Sequence, residues 1–276
     1  MTQPTVTFIG GGNMARAIYG GLLDNGFSAT NLSVVDPSAA AQDNARRAGI
    51  EHIFDSAPGE ALLADLIVLA IKPQITKAAL QPLAGRLGTH SLVLSIVAGI
   101  NAESLAALLG LSDTGHIIRC MPNTPALVGE GMTGLFASTE ASSAEGKTLA
   151  ERVMSSVGQC VWVEKESDLD VVTAISGSGP AYFFLFIESL TDAAIALGMN
   201  GESARKLALQ TALGASRLAS LSSEDAATLR KNVTSPGGTT EQAIQAFEAA
   251  DIRGIVAQAT QAAARRSVEL SKEFGA

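Results

Sequence analysis

"TVTFIGGGNMARAI", residues 5–18, runs from a β-branched stretch through three glycines into a helix-forming segment. Gly10, Gly12 and Ala15 stand in the G-x-G-x-x-A arrangement, directly after a strand and opening a helix from Asn13. Glycine at 10 permits the tight turn, glycine at 12 lets the backbone approach a pyrophosphate, and the small Ala15 keeps helix and sheet close. Amides at the helix start can then hold phosphate oxygens. A glycine turn that binds nothing shares the bare pattern; the strand-turn-helix context separates the two.

The same rhythm continues outward. Up to about residue 163, short apolar runs alternate with helical stretches: TVTFI and a helix from Asn13, LSVVD and a helix from Ser38, DLIVLAI and a helical stretch from Gln74, SLVLSIV and a short helix from Asn101, then GHIIRC, GMTGLFA and QCVWV. Runs that are apolar without alternation suit parallel strands covered on both faces by helices. The fold class expected is therefore α/β, a Rossmann-like doubly wound parallel sheet, followed by an all-α domain. After Glu164 the strand signal stops, and Ala- and Leu-rich helical periods break only at SGSGPAY, LGMNGES, SSED, TSPGG and AADIRG. The chain thus reads as a dinucleotide-binding domain, residues 1–163, and a helical dimerisation and substrate domain, residues 164–276. LALQTALGASRLASL and IVAQATQAAARRSVEL are apolar over wider arcs than a helical domain of about 110 residues can hide alone. An intimate homodimer follows.

Composition excludes other classes. A chain of 276 residues that is 47% hydrophobic can bury a sizeable core. A net charge of -8 with no basic run argues against a nucleic-acid partner. The amino terminus has no charged segment leading into an apolar run, so no secretory signal is expected. The most apolar helical stretch, from Ala181, carries Glu188 and Asp192 one turn apart, which a lipid-spanning helix rarely tolerates, so no membrane partner is expected. Cys120 and Cys160 lack CxxC pairing or a nearby His and read as reduced core residues of a cytoplasmic protein. Three histidines outside any motif suggest no metal site.

Candidate chemistry gathers at strand ends. Asp36 closes the second apolar run, where a carboxylate bonds the adenosine ribose and favours NAD; capping the next helix is the alternative role. Ser38, Arg46 or Arg47 could instead serve a 2′-phosphate. Lys72 and Pro73 end one strand and Ala98 and Gly99 another, so both turns should line the cofactor cleft, although Lys72 reads equally as a solvated loop residue. RCMPNTP, residues 119–125, sets Asn123 and Thr124 between prolines at the same rim, suited to the nicotinamide end.

SGSGPAY is a Ser-Gly turn into the long helix, where Ser176 and Ser178 can meet a ligand or cap the helix. In TSPGGTTEQAI, residues 234–244, Thr239 and Gln242 have capping-box spacing. The remaining groups are surplus to a cap: Ser235, the freed backbone at Gly237 and Gly238, and the Thr240 hydroxyl make a nest for a small carboxylate. No triad, metal cluster or Cys-His pair accompanies it. Hydride addition to a carbonyl needs a positioned acid. A cyclic imine can take its proton from water and needs positioning more, for which Thr240 is sufficient.

These motifs, together with AIKPQ, SIVAGI and NVTSPGG, occur in the order and spacing of pyrroline-5-carboxylate reductases, and the chain resembles that family along nearly its whole length. The resemblance implies reduction of 1-pyrroline-5-carboxylate to L-proline, the last step of proline biosynthesis, with NADPH or NADH as cofactor. It also implies helical domains interlocked in a homodimer, which many members assemble into a pentamer of dimers. Gly10, Gly11, Gly12, Asn13, Met14, Ala70, Ile71, Lys72, Pro73, Val97, Ala98 and Gly99 match cofactor-binding positions, as do Glu166 and Asn232. Thr239 and Thr240 match substrate contacts, with Thr240 facing the ring nitrogen. Asp36 departs from the family's commoner pattern and leaves the choice between NADPH and NADH open. A hydroxy-acid dehydrogenase of the same plan would want a lysine early in the long helix, where YFFLFIESL has none. A non-enzymatic NAD(P) sensor would leave TSPGGTT idle.

Overall fold

The computed structural model describes residues 3–138 and 143–275. Its strands are β1 (Val6–Ile9), β2 (Leu32–Val35), β3 (His52–Phe54), β4 (Leu66–Leu69), β5 (Leu92–Ser95), β6 (Ile117–Met121), β7 (Gly131–Ala137) and β8 (Gly158–Trp162). They form one sheet in the order β3-β2-β1-β4-β5-β6-β7-β8. Every residue of β1, β4 and β5 is buried, as strands covered on both faces require. β1 to β6 run parallel, in the order of a doubly wound dinucleotide fold.

One departure from the all-parallel expectation is β7, which pairs antiparallel with β6. The chain between Met121 and Gly131 is too short for a crossover, so it returns directly. Two elements went unread in the sequence. β3 has only three residues, and its His52 is exposed. A helix, Ala144–Ser155, joins β7 to β8 and lets those two pair in parallel.

The helices of the sheet region are α1 (Asn13–Asp24), α2 (Ala39–Arg47), α3 (Thr76–Leu80), α4 (Ala102–Leu109), α5 (Ala144–Ser155) and α6 (Asp168–Val172). Alternate strand residues face two separate cores. Phe8, Val68 and Leu94 pack with Ile18, Tyr19 and Leu22 of α1, while Ile9, Leu69 and Val93 pack with Leu105 and Leu109 of α4. Asn101 caps α4 by accepting the Ser104 amide at 2.7 Å.

SGSGPAY does not break the chain into a turn. α6 passes through a π-helical turn, Thr173–Gly177, into α7 (Gly179–Ala196), and the Ser178 amide donates to Thr173 O at 2.8 Å. Hydroxyls reinforce this segment: Thr173 donates to Leu169 O and Ser176 to Val172 O.

Four more helices follow: α8 (Gly201–Leu221), α9 (Ala226–Asn232), α10 (Thr239–Ala249) and α11 (Ile252–Phe274). The chain forms two compact units, one running to Ser178 and resuming at Ala263, the other Gly179–Ala262. The first thus extends past the 163/164 boundary, because α6 packs on the sheet: the space beside Gly134 of β7 is filled by Val172. In the second unit Phe183, Phe184, Leu185, Leu213 and Leu221 are all exposed by more than half. By length and composition the continuous helix Asp168–Ala196 could cross a membrane, but Glu188 and Asp192 also lie on its exposed surface.

Two neighbouring glycines of α1 test the packing. A Cβ on Gly20 meets nothing within 4 Å, whereas one on Gly21 would lie 2.5 Å from Ser156 O. Gly20→Ala should stabilise by about 0.5–1 kcal/mol through helix propensity. Gly21→Ala should destabilise by about 1–3 kcal/mol, since overpacking against backbone outweighs that gain. Urea unfolding midpoints of the two variants should therefore move in opposite directions.

Candidate active site

Three strand ends meet at Gly10. Its amide donates to Val35 O at 2.8 Å, and the Ala70 amide donates to Ile9 O at 2.8 Å. With φ at +100°, Gly10 lies where L side chains are strained, and a Cβ there would also collide with Ala70 O. Gly11 is buried between Val34 and Ala41, and its amide donates to Asp36 Oδ2 at 2.7 Å. Gly12 differs. It is the N-cap of α1 with an ordinary φ of -67°, and a Cβ there would enter open space. Asn13 and Met14 open the helix, and Ala15 is wholly buried. Open space over a helix start, kept clear by a glycine with no conformational need to be one, fits a dinucleotide pyrophosphate.

Asp36 holds this turn in shape. Besides the Gly11 amide, its carboxylate accepts the Ser38 amide at 2.8 Å, while Gln42 Nε2 donates to its carbonyl at 2.9 Å. Two further lone-pair directions remain for hydroxyl donors. Arg46 and Arg47 do not attend it. They occupy the last turn of α2, about 12 Å along the axis from Ser38, and Arg46 is paired with Asp43 at 2.6 Å.

The turns after β4 and β5 lie at the same carboxyl edge of the sheet. Ala70, Ile71 and Pro73 are half-buried, and Lys72 is exposed with no ion pair among the described residues. Lys72 O accepts the Thr76 hydroxyl at 3.0 Å, which fixes the turn. Val97 is buried with its amide on Ser95 Oγ, Ala98 is half-buried, and Gly99 has φ +75°.

Asn123 and Glu166 are differently engaged. Asn123 is 9% exposed; its Nδ2 donates to Ser176 O and its Oδ1 accepts the Met132 amide, so its side chain braces the loop. Glu166 Oε1 accepts the Ala102 amide at 2.7 Å and Arg119 Nη1 at 2.9 Å. Arg119 drew no attention in the sequence, although one basic residue inside the apolar run HIIRCM signals a buried charge in need of a partner. Asn232 belongs to the helical unit, where Nδ2 donates to Glu224 Oε2 at 3.0 Å. Ser178 is half-buried at the end of the π-helical turn.

The helical unit carries the other cluster. Gly238, not Thr239, is the N-cap of α10, and no side chain caps it. Instead Glu241, three residues on, reaches back to the Gly237 amide at 2.8 Å, and the Gly238 amide donates to Ser235 O at 3.0 Å. The expected Thr239–Gln242 box is thus displaced by one residue, because Gly237 at φ +71° turns its amide toward Glu241. The shift releases a hydroxyl. Ser235, Thr239 and Thr240 are exposed, and none of their hydroxyls has a hydrogen-bond partner among the described residues. Thr234 is spent on Arg230 O at 2.6 Å. Neither cysteine supplies a nucleophile, since burial raises both thiol pKa values.

Known proteins share this arrangement. Residues 166–270 match the family described as pyrroline-5-carboxylate reductase dimerisation, and residues 5–99 match NADP oxidoreductase, coenzyme F420-dependent. The chain is 45% identical to a pyrroline-5-carboxylate reductase of Pseudomonas aeruginosa, with all of both chains covered. A pyrroline-5-carboxylate reductase structure from Coxiella burnetii superposes with a TM-score of 0.91 at 40% identity, covering 98% of this chain and 99% of that one. The Plasmodium falciparum pyrroline carboxylate reductase, solved with NADP bound, gives 0.83 at 31% identity, covering 98% and 99%. With the glycine turn, the hydroxyl-rich start of α10 and full-length identity in agreement, the chain belongs to the pyrroline-5-carboxylate reductase family.

Proposed function

We propose that this protein reduces 1-pyrroline-5-carboxylate to L-proline, the last step of proline biosynthesis, with NADPH or NADH. The observation that carries the reading is the start of α10, where three partnerless hydroxyls surround a helix end with no side-chain cap. In this proposal the turn at Gly237 and Gly238 presents the first amides of α10 to the carboxylate, with Ser235 and Ser178 beside it. Thr239 adds a second hydroxyl, and Thr240 Oγ1 holds the proton at the ring nitrogen. The proton comes from water, so no strong acid is required of the protein.

The dinucleotide, when bound, supplies the hydride. The residues to hold it are Gly10–Met14, Asp36, Ala70–Pro73 and Val97–Gly99, with the backbone of the Asn123 loop. Asn232 joins them from the helical domain. Residues 1–163 form the cofactor domain of this reading and 164–276 the dimerisation and substrate domain. The exposed apolar face of α7 and α8 is then covered by a second copy, which also accounts for a long apolar helix without a membrane. Assembly into a pentamer of dimers and a cytoplasmic location belong to the same proposal, the latter supported by two free cysteines.

The test is a spectrophotometric assay of pure protein with pyrroline carboxylate and each nicotinamide cofactor; oxidation dependent on the imine is expected, and none would refute the reading. Thr240→Ala should lower kcat/KM by about 10–100-fold with the fold intact, the loss of one hydrogen bond to a charged group. Gly12→Val, unstrained at this φ, should keep the melting temperature and raise the dinucleotide Kd by about tenfold or more, since its side chain fills the pyrophosphate's approach. Asp36→Ser should shift the ratio of kcat/KM values toward NADPH, because it removes a carboxylate that repels a 2′-phosphate. Light scattering at micromolar protein should give the mass of ten chains, and a single-chain mass would exclude even the dimer.

A further inference from the structure

The turn between β5 and α4, which contains Val97, Ala98 and Gly99, is held by groups from β6, from the segment before α6 and from the end of α11. Glu166 accepts the Ala102 amide at 2.7 Å, just where that turn becomes helix. The same oxygen accepts Arg119 Nη1 at 2.9 Å, so the acceptor is itself fixed by a guanidinium only 12% exposed. Arg119 rises from β6 in register with Ser95, the last residue of β5 and the acceptor for the Val97 amide. Arg119 Nε has no partner among the described residues, so its charge rests on Glu166.

The carboxy-terminal turns of α11 close the other side. Leu270 O lies 3.2 Å from where a Gly99 Cβ would stand, Ser104 Oγ donates to Gly275 O at 2.7 Å, and Ser267 Oγ donates to Asp170 Oδ1 at 2.6 Å. With backing on that side, the Ala102 amide is the point at which Glu166 can set the turn's height.

We propose that Glu166, oriented by Arg119, is a positioning residue for cofactor binding: it acts through the Ala102 amide to hold the turn at Val97–Gly99 in its binding shape and does not contact the dinucleotide. This rests on the reading of that turn as cofactor-lining. Glu166 Oε1 already takes two donors, and the negative charge of the carboxylate would oppose phosphate. The site is therefore a fixed strut whose useful property is its acceptor geometry, not its charge.

Two double variants separate those properties without stranding a buried charge. Arg119→Met with Glu166→Gln removes both charges and keeps an acceptor for Ala102; Arg119→Met with Glu166→Met removes the acceptor too. In fluorescence titrations of the full-length protein with NADPH and NADH, the first should stay within about threefold of wild type. The second should raise Kd by about tenfold or more, as for loss of one well-placed hydrogen bond. KM for the dinucleotide should rise with it and KM for the imine should not. Equal Kd values for the two folded variants would overturn the proposal. If the second does not fold, Glu166→Asp draws the acceptor back by one methylene and should raise Kd by about threefold or more; a wild-type Kd there overturns it too. Wild-type protein that binds neither dinucleotide would instead overturn the reading of the glycine turn.

Discussion

At Gly10 the ends of three parallel strands approach so closely that a Cβ cannot be accommodated against Ala70 O. The rest of the cofactor side follows from that contact. Because β1 and β4 meet there, the turn must leave the sheet steeply, and α1 starts with its amides facing the carboxyl edge. The next two glycines then do different things: Gly11 packs inward and gives its amide to Asp36, while Gly12 leaves space. Asp36 is thus structural before it is selective. Its carboxylate closes the turn on one side and the start of α2 on the other.

The helical domain is governed by apolar surface that its own chain cannot cover. Phe183, Phe184 and Leu185 are each exposed by about two thirds, on a helix whose only buried residue is Gly179. Leaving three such side chains wet forgoes roughly 1.5–3 kcal/mol apiece, a large fraction of the stability of any domain. Self-association recovers that energy, and a family model defined by dimerisation spans this region. The apolar face and the exposed start of α10 sit on the same unit.

Much of this was legible in the residues, and the exceptions have physical causes. β1, β4 and β5 were read correctly because strands buried on both faces leave an unbroken apolar run. β3 escaped because three residues at a sheet edge, one exposed and two half-buried, carry no such run. The antiparallel β7 was hidden in the length of a connection. SGSGPAY has the composition of a break, yet the helix widens there into a π-helical turn, with the Ser178 amide on Thr173 O, and goes on. At TSPGGTTEQ two capping frames lie one residue apart, and the positive φ of Gly237 chose Glu241 over Gln242. The pairing of Arg119 with Glu166 spans 47 positions and left only the solitary arginine as a trace.

Glu241 sharpens the argument for what α10 can receive. A carboxylate in the first turn of a helix is favoured by the dipole, so its presence there needs no compensation elsewhere. It also takes the Gly237 amide out of use and leaves the amides at the start of α10 with the Ser235, Thr239 and Thr240 hydroxyls. That set matches the acceptors of one carboxylate and falls short of a phosphate's three oxygens and double charge. A ring nitrogen that becomes cationic on protonation loses nothing by the proximity of Glu241. A site built from amides and hydroxyls therefore suits a small acid whose reacting nitrogen takes its proton from solvent.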